Sequence, residues 1–273
     1  MKETASNTRA IPLSRKEKKR LANLDNRPRK TISFYRYIKI GNPEEFRDRL
    51  LKQWSRWDCL GRIYVAQEGI NAQMNVPHEH WEEFDEWVQG QLELVGVPYK
   101  FAVEEGEANS FYKLTVKVRN KIVADGLDDA SFDVTDTGHY LTAEELNQYI
   151  DDPEAVVVDM RNNYESEVGH FENAITPNVA TFRDELKHTP ELLQVHKNKK
   201  VALYCTGGIR CEKASAWLKH NGFKDVRHLK GGIIDYAKQV QEQGLPNRFR
   251  GKNFVFDERL GERISDDVIA TCH

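Results

Sequence analysis

Cysteine is scarce in this chain. Four occur among 273 residues (Cys59, Cys205, Cys211 and Cys272), with no C-x-x-C pair. Thiols so scattered make no disulfide framework and suit a reducing, cytoplasmic compartment. Long apolar runs are also missing: none reaches the about 18 residues that a membrane-spanning helix needs. The N-terminus lacks the apolar stretch of a secretory signal. No G-x-G-x-x-G fingerprint marks a dinucleotide site, and no repeat of roughly 20 to 50 residues suggests a solenoid. His-x-Glu spacing, which can begin a non-haem iron triad, occurs at His80–Glu82 and His170–Glu172. The first falls on an expected helix with diverging side chains. No metal and no organic cofactor is therefore expected.

Charge is present in quantity but unevenly placed. The whole chain carries −3, yet residues 1–30 hold ten Lys and Arg against Glu3, Glu17 and Asp25, a local surplus of +7. A basic, weakly apolar and flexible arm on an acidic body suits a polyanion such as nucleic acid.

The stretch with the clearest chemistry is Val201–Ser215. A short apolar run, Val201 to Tyr204, reads as a buried strand, followed by Cys205, Thr206, Gly207, Gly208, Ile209, Arg210 and a helix-forming segment. Cys205 is thus expected at the carboxyl end of a strand, on a tight loop entering a helix. The glycine pair lets the amides turn inward, and the helix dipole adds positive charge. A thiol there ionises readily and serves as a nucleophile. Arg210 is expected at the far rim of the loop, holding an anion. Cys211 is read as a packed helix residue that the loop geometry keeps away from Cys205.

Residues 31–123 read as β-α-β-β-α-β, the order of a ferredoxin-like (acylphosphatase-like) α+β domain. The strands are Thr31–Ile40, Arg62–Ala66, Ile70–Val76 and Tyr112–Val123; the helices are Asn42–Trp57 and Trp81–Leu94. Period-two alternation sends Leu114, Val116 and Val118 inward, and Lys113, Thr115, Lys117, Arg119 and Lys121 outward. Tyr35, Tyr37 and Lys39 share a face, as do Arg62 and Tyr64. With the first and last strands as neighbours, Tyr35 and Tyr37 would lie beside Lys113, Lys117 and Arg119. Tyrosines for stacking beside cations for phosphates suit single-stranded RNA. Arg248, Arg250 and Lys252 offer an alternative contact.

Residues 124–140 are acidic and turn-rich and read as a linker. From 141 to 246 strands alternate with helices, the pattern of a parallel α/β sheet, whose ligands bind at the carboxyl ends of strands. Thr142 and Glu145 form a capping box with Leu141 and Leu146 as its staple. Residues 247–273 form a C-terminal extension.

Two stretches of the second domain resemble a rhodanese: Asp159-x-Arg161 followed by Glu165, Gly169-His170 and Ala174, and the loop Tyr204-Cys205-Thr206-Gly207-Gly208-Ile209-Arg210. The resemblance implies a rhodanese-like domain whose cysteine carries a persulfide, held by loop amides and an arginine. It also makes His170–Glu172 structural. Related phosphatases have five residues between Cys and Arg, and this chain has four, as in the sulfur-handling form. Asp159 and Arg161 are read as a buried ion pair bracing the loop. From about Thr31 to Cys272 the chain further resembles the bacterial tRNA uridine hydroxylases. The carrying stretches are Thr31–Tyr35, Gln67–Gln73, Asn120–Gly126, Tyr204–Trp217 and Gly251–Arg259. This implies tRNA as partner, 5-hydroxyuridine at the wobble position as product, and molecular oxygen as co-substrate. Many members continue past the equivalent of Cys272-His273 into a cysteine-rich, metal-binding tail, so a longer protein is expected. Sulfur transfer through a Cys205 persulfide, and non-catalytic tRNA binding, are the alternatives.

Overall fold

A computed structural model of the chain describes residues 13–103, 110–129 and 131–269. Lys2, Arg9 and Cys272 lie outside them. Between residues 13 and 30 the expected flexible arm is replaced by ordered structure. Helix α1 spans Arg15–Leu24, opened by a capping box in which the Ser14 hydroxyl accepts from Glu17 N at 3.2 Å and the Glu17 carboxylate accepts from Ser14 N at 2.9 Å. Several arm charges are spent within the chain: Arg27 and Arg29 meet Asp25 at 2.8 and 3.0 Å, and Lys19 meets Glu258 at 2.6 Å.

The first domain continues through β1 (Arg29–Tyr37), α2 (Pro43–Arg56), β2 (Leu60–Ala66), β3 (Gly69–Pro77), α3 (Trp81–Gln89), β4 (Lys100–Phe101) and β5 (Leu114–Val118). Asn42 caps α2, its side-chain oxygen accepting from Glu45 N at 3.1 Å, and Pro43 supplies the first turn. The buried residues of α2 (Pro43, Phe46, Leu50, Trp54) recur every three or four positions, and α3 adds Phe84 and Val88. They cover the apolar face built from Ile32, Phe34, Ile63, Ala72 and Met74. Each large side chain so buried contributes roughly 1.5–3 kcal/mol.

Strand order corrects one expectation. The sheet runs β4-β1-β3-β2-β5. The fourth strand of the ferredoxin-like order is the two-residue β4 beside β1, whereas β5 adds parallel to β2 at the opposite edge. Tyr35 and Tyr37 therefore do not lie beside Lys113, Lys117 and Arg119, because β3 and β2 intervene. The alternation itself is as read. Ser33 pairs with both Gln73 and Lys100, Gln73 with Arg62, and Arg62 with Thr115, so these side chains share the face opposite the helices.

The second domain comprises β6 (His139–Leu141), α4 (Ala143–Asp151), β7 (Ala155–Asp159), α5 (Asn163–Ser166), β8 (Gly169–Phe171), α6 (Phe182–Leu192), β9 (Lys200–Tyr204), α7 (Ile209–His220), β10 (Asp225–Leu229) and α8 (Gly232–Gln243). Its parallel sheet is ordered β6-β10-β9-β7. The Thr142–Glu145 capping box is present, with Leu141 and Leu146 buried. The first strand takes in His139 and Tyr140 from the expected linker. The extension folds back as β11 (Phe249–Phe254), which pairs with β8, and β12 (Gly261–Arg263). Among the described residues no helix is long and apolar enough to cross a membrane.

Candidate active site

Cys205 follows β9 directly, and the loop after it turns at Gly208, whose φ is +94°. A side chain at Gly208 would be strained by that φ, and its Cβ would come within 2.9 Å of the Tyr35 hydroxyl. A second glycine was not singled out in the sequence. At Gly232, φ +69°, a Cβ would fall 2.4 Å from the Cys205 carbonyl oxygen. Its absence lets the start of α8 close on the loop, where Ile233 N and Ile234 N donate to the carbonyls of Cys205 and Thr206 at 3.0 and 3.2 Å.

Cys205 has no exposed surface. Burial pushes its thiol pKa up. The opposing influences win: a hydrogen bond from the Cys211 thiol, the Arg210 charge, and the amides of Cys211 and Gly208 bring it down to about 6. Gly208 N lies 3.1 Å from the sulfur. Cys211 is the buried, packed residue of α7 that was expected, and its thiol also acts on the Cys205 sulfur. Burial and the neighbouring sulfur push its own thiol well above the usual range, so it stays a donor.

Arg210 is not an open anion holder on the rim. It is buried, and its two terminal nitrogens donate to the two Glu165 oxygens at 2.6 and 2.8 Å. Glu165 stood in the rhodanese-like pattern without an assigned role; the structure gives it this one. Asp159 and Arg161 form a fully buried pair at 2.8 and 2.6 Å, and the Tyr204 hydroxyl donates to Asp159 at 2.8 Å. Glu185 lies buried beneath the loop. Neither of its oxygens has a hydrogen-bond partner among the described residues, and burial drives its pKa well up.

The face of the first sheet opposite α2 and α3 packs against this loop. The Tyr35 hydroxyl donates to Glu212 at 3.0 Å, and the Tyr37 hydroxyl reaches the Ile209 carbonyl at 3.4 Å. Lys213, one residue on, is buried between Glu68 (2.9 Å) and Asp125. Asp125 thereby ties the expected linker into the domain interface. Tyr35 and Tyr37 are engaged by the second domain, and the idea that both stand free for base stacking is corrected.

Between the domains opens a cleft of about 1440 Å³. Cys205, Thr206, Gly207, Ile209 and Arg210 form its floor. Tyr35, Arg62, Lys100, Arg119 and Lys121 line it from the first domain, and Arg183 from α6. Arg62 is partly committed, to the Phe256 carbonyl and to Gln73 at 3.4 Å. Lys121 lies 3.7 Å from Glu68. Arg119 sits over the Tyr64 ring at 5.6 Å. Lys39, Lys113 and Lys117 are exposed outside the cleft. Of the alternative contacts, Arg248 is paired with Asp151 and Glu172, and Arg250 with Glu172 and Asp267. Among the described residues no three His, Cys, Asp or Glu side chains converge as a metal cluster.

A cysteine on a glycine loop after a parallel strand, braced by buried arginine–carboxylate pairs, defines a rhodanese-like domain. Residues 142–239 match the rhodanese-like domain family, and residues 29–122 match the UPF0176 acylphosphatase like domain. A tRNA uridine(34) hydroxylase from Salmonella typhi is 54% identical over 250 residues, which cover 91% of this chain and 71% of that protein. One of the same name from Erwinia tasmaniensis is 53% identical over 262 residues, covering 96% and 75%. Among solved structures, a rhodanese-like domain protein from Staphylococcus aureus is 26% identical and spans 36% of this chain and 90% of its own, with a TM-score of 0.30. The chain belongs to the tRNA uridine(34) hydroxylase family, a family of enzymes.

Proposed function

We propose that this protein hydroxylates uridine 34, the wobble base of tRNA, to 5-hydroxyuridine, with Cys205 as nucleophile and molecular oxygen as oxidant. The observation that carries the reading is the cleft, in which a cysteine with a pKa near 6 faces a cationic sheet face within a chain of this family. Enzymes that act on a base take it out of its stack into a pocket, and a single-stranded anticodon base is the least costly to extrude. Arg119 and Arg183, at the cleft, bind phosphates; the Cys205 loop meets the base. A cytoplasmic location accords with a tRNA substrate.

Uracil C5 reacts with electrophilic oxygen only weakly as it stands. A thiolate that adds to C6 turns the C5=C6 bond into an enolate and makes C5 nucleophilic, which gives Cys205 its role. The test is nucleoside mass spectrometry of tRNA from a strain lacking the gene, complemented with the wild type or with Cys205→Ser. The wild type restores 5-hydroxyuridine and the variant does not. Full rescue by Cys205→Ser would refute the catalytic assignment, and restoration of a thiolated base would point to sulfur transfer instead.

A further inference from the structure

The buried cations around the cysteine loop are already matched by carboxylates. Arg210 is locked to Glu165 and Arg161 to Asp159, so neither has a charge to offer a ligand. Lys100 differs. It is 5% exposed, and among the described residues its ammonium makes no hydrogen bond and no ion pair. Pairing of Lys100 with Ser33 puts its side chain on the sheet face that meets the second domain. Its stem lies against the cysteine loop, its Cδ 3.9 Å from where a Cβ on Gly207 would sit, and its Nζ stands 4.5 Å from the centre of the Tyr35 ring. The groups that act on it electrostatically are Asp235, Cys205 and Glu212, which favour its charge, and Lys238, which opposes it. Burial is the largest influence and lowers its pKa. Those anions act at a distance and none is hydrogen-bonded to it, and a buried ammonium so held is costly unless an acceptor completes the site.

We infer that Lys100 is a catalytic residue, supplied by the first domain, that holds the negative charge developing on the uracil ring when Cys205 adds to it. This rests on the functional reading above and extends it to a named group. In the addition step the sulfur–C6 bond forms and the C5=C6 electron pair shifts so that charge builds on O4. No atom leaves and nothing is oxidised, and the negative charge of the thiolate passes to O4. Lys100 Nζ donates a hydrogen bond to that oxygen, a stabilisation larger in the transition state than in the free base. Arg210 keeps its role on the sulfur side, where it favours the thiolate.

The experiment uses the full chain as wild type, Lys100→Met and Lys100→Arg, with two readouts. The first is the rate at which Cys205 is alkylated by iodoacetate relative to the neutral iodoacetamide, followed at the Cys205 peptide by mass spectrometry. Lys100→Met should lower this ratio about tenfold, and Lys100→Arg should keep it. The second is steady-state hydroxylation of tRNA. Lys100→Met should lose about 100-fold in kcat with KM within about threefold, because one donor to a developing oxyanion is removed. An unchanged alkylation ratio would overturn the inference whatever the activity. A lost ratio with kcat unchanged would overturn it too, since the cation would then face the cleft without serving the reaction. A wild type with a Lys100-dependent alkylation ratio that makes no 5-hydroxyuridine would refute the functional reading and leave the anion site standing.

Discussion

The two domains handle the charge they bury around the cleft in opposite ways. On the second domain the buried cations are tied down: Arg161 to Asp159, Arg210 to Glu165, and Lys213 to Glu68 and Asp125. On the first domain Lys100 and Arg119 face the cleft with an aromatic ring each and no ion pair among the described residues. The tied wall keeps one arrangement of the loop and so holds the Cys205 sulfur where its amides can reach it. The untied wall, with Arg183 of α6 at the cleft from the other domain, has cations left over for a ligand. Rigidity and most of the binding capacity are thus divided between two domains, and the sheet face of one is pressed onto the cysteine loop of the other.

The largest test of that division is Glu165→Gln. It leaves the Arg210 guanidinium buried with half its partner, and removing one member of such a pair costs about 3–5 kcal/mol. The midpoint of guanidinium unfolding should fall accordingly, and Glu165→Gln combined with Arg210→Met should recover more than half of the loss. Equal losses in the single and double variants would mean that the pair does not brace the loop. An intermediate effect is expected at the β5 edge of the first-domain sheet. Lys117→Glu with Arg119→Glu should weaken tRNA binding about tenfold and reduce its salt dependence by about two counter-ions. Binding that keeps the wild-type salt slope would move the RNA path off this edge of the sheet. The smallest effect is a shift in a profile. Alkylation of Cys205 follows the thiolate, so its rate should rise with pH to a midpoint near 6 and level off above it. Cys211→Ala removes a donor to that sulfur and should move the midpoint upward, toward the usual cysteine range. A midpoint that stays put would assign the shift to Arg210 and the amides alone.

Much of the second domain could be read from its residues. The apolar run to Tyr204, the glycine pair and Arg210 placed the cysteine loop, and Thr142 with Glu145 placed α4. What escaped depended on contacts far apart in the chain. Glu165 stands 45 residues from Arg210, and no local pattern joins them. Strand β4 is two residues long, too short to show alternation, so the edge beside β1 went to the more obvious 112–123 segment and the sheet order was misjudged. Lys100 owes its place entirely to that overlooked strand. The Ser14–Glu17 capping box was readable but was hidden in a run of charges that suggested a loose arm.

The central claim, that the wobble base enters the cleft over Cys205, is tested most directly by photo-crosslinking. A tRNA carrying 4-thiouridine at position 34 alone would be irradiated with the full chain, and the crosslinked peptides mapped by mass spectrometry. The account predicts crosslinks in the peptides that carry Tyr35, Lys100 and the Thr206–Ile209 loop. Crosslinks confined to α1 or to Arg248–Lys252, with none in those peptides, would contradict it.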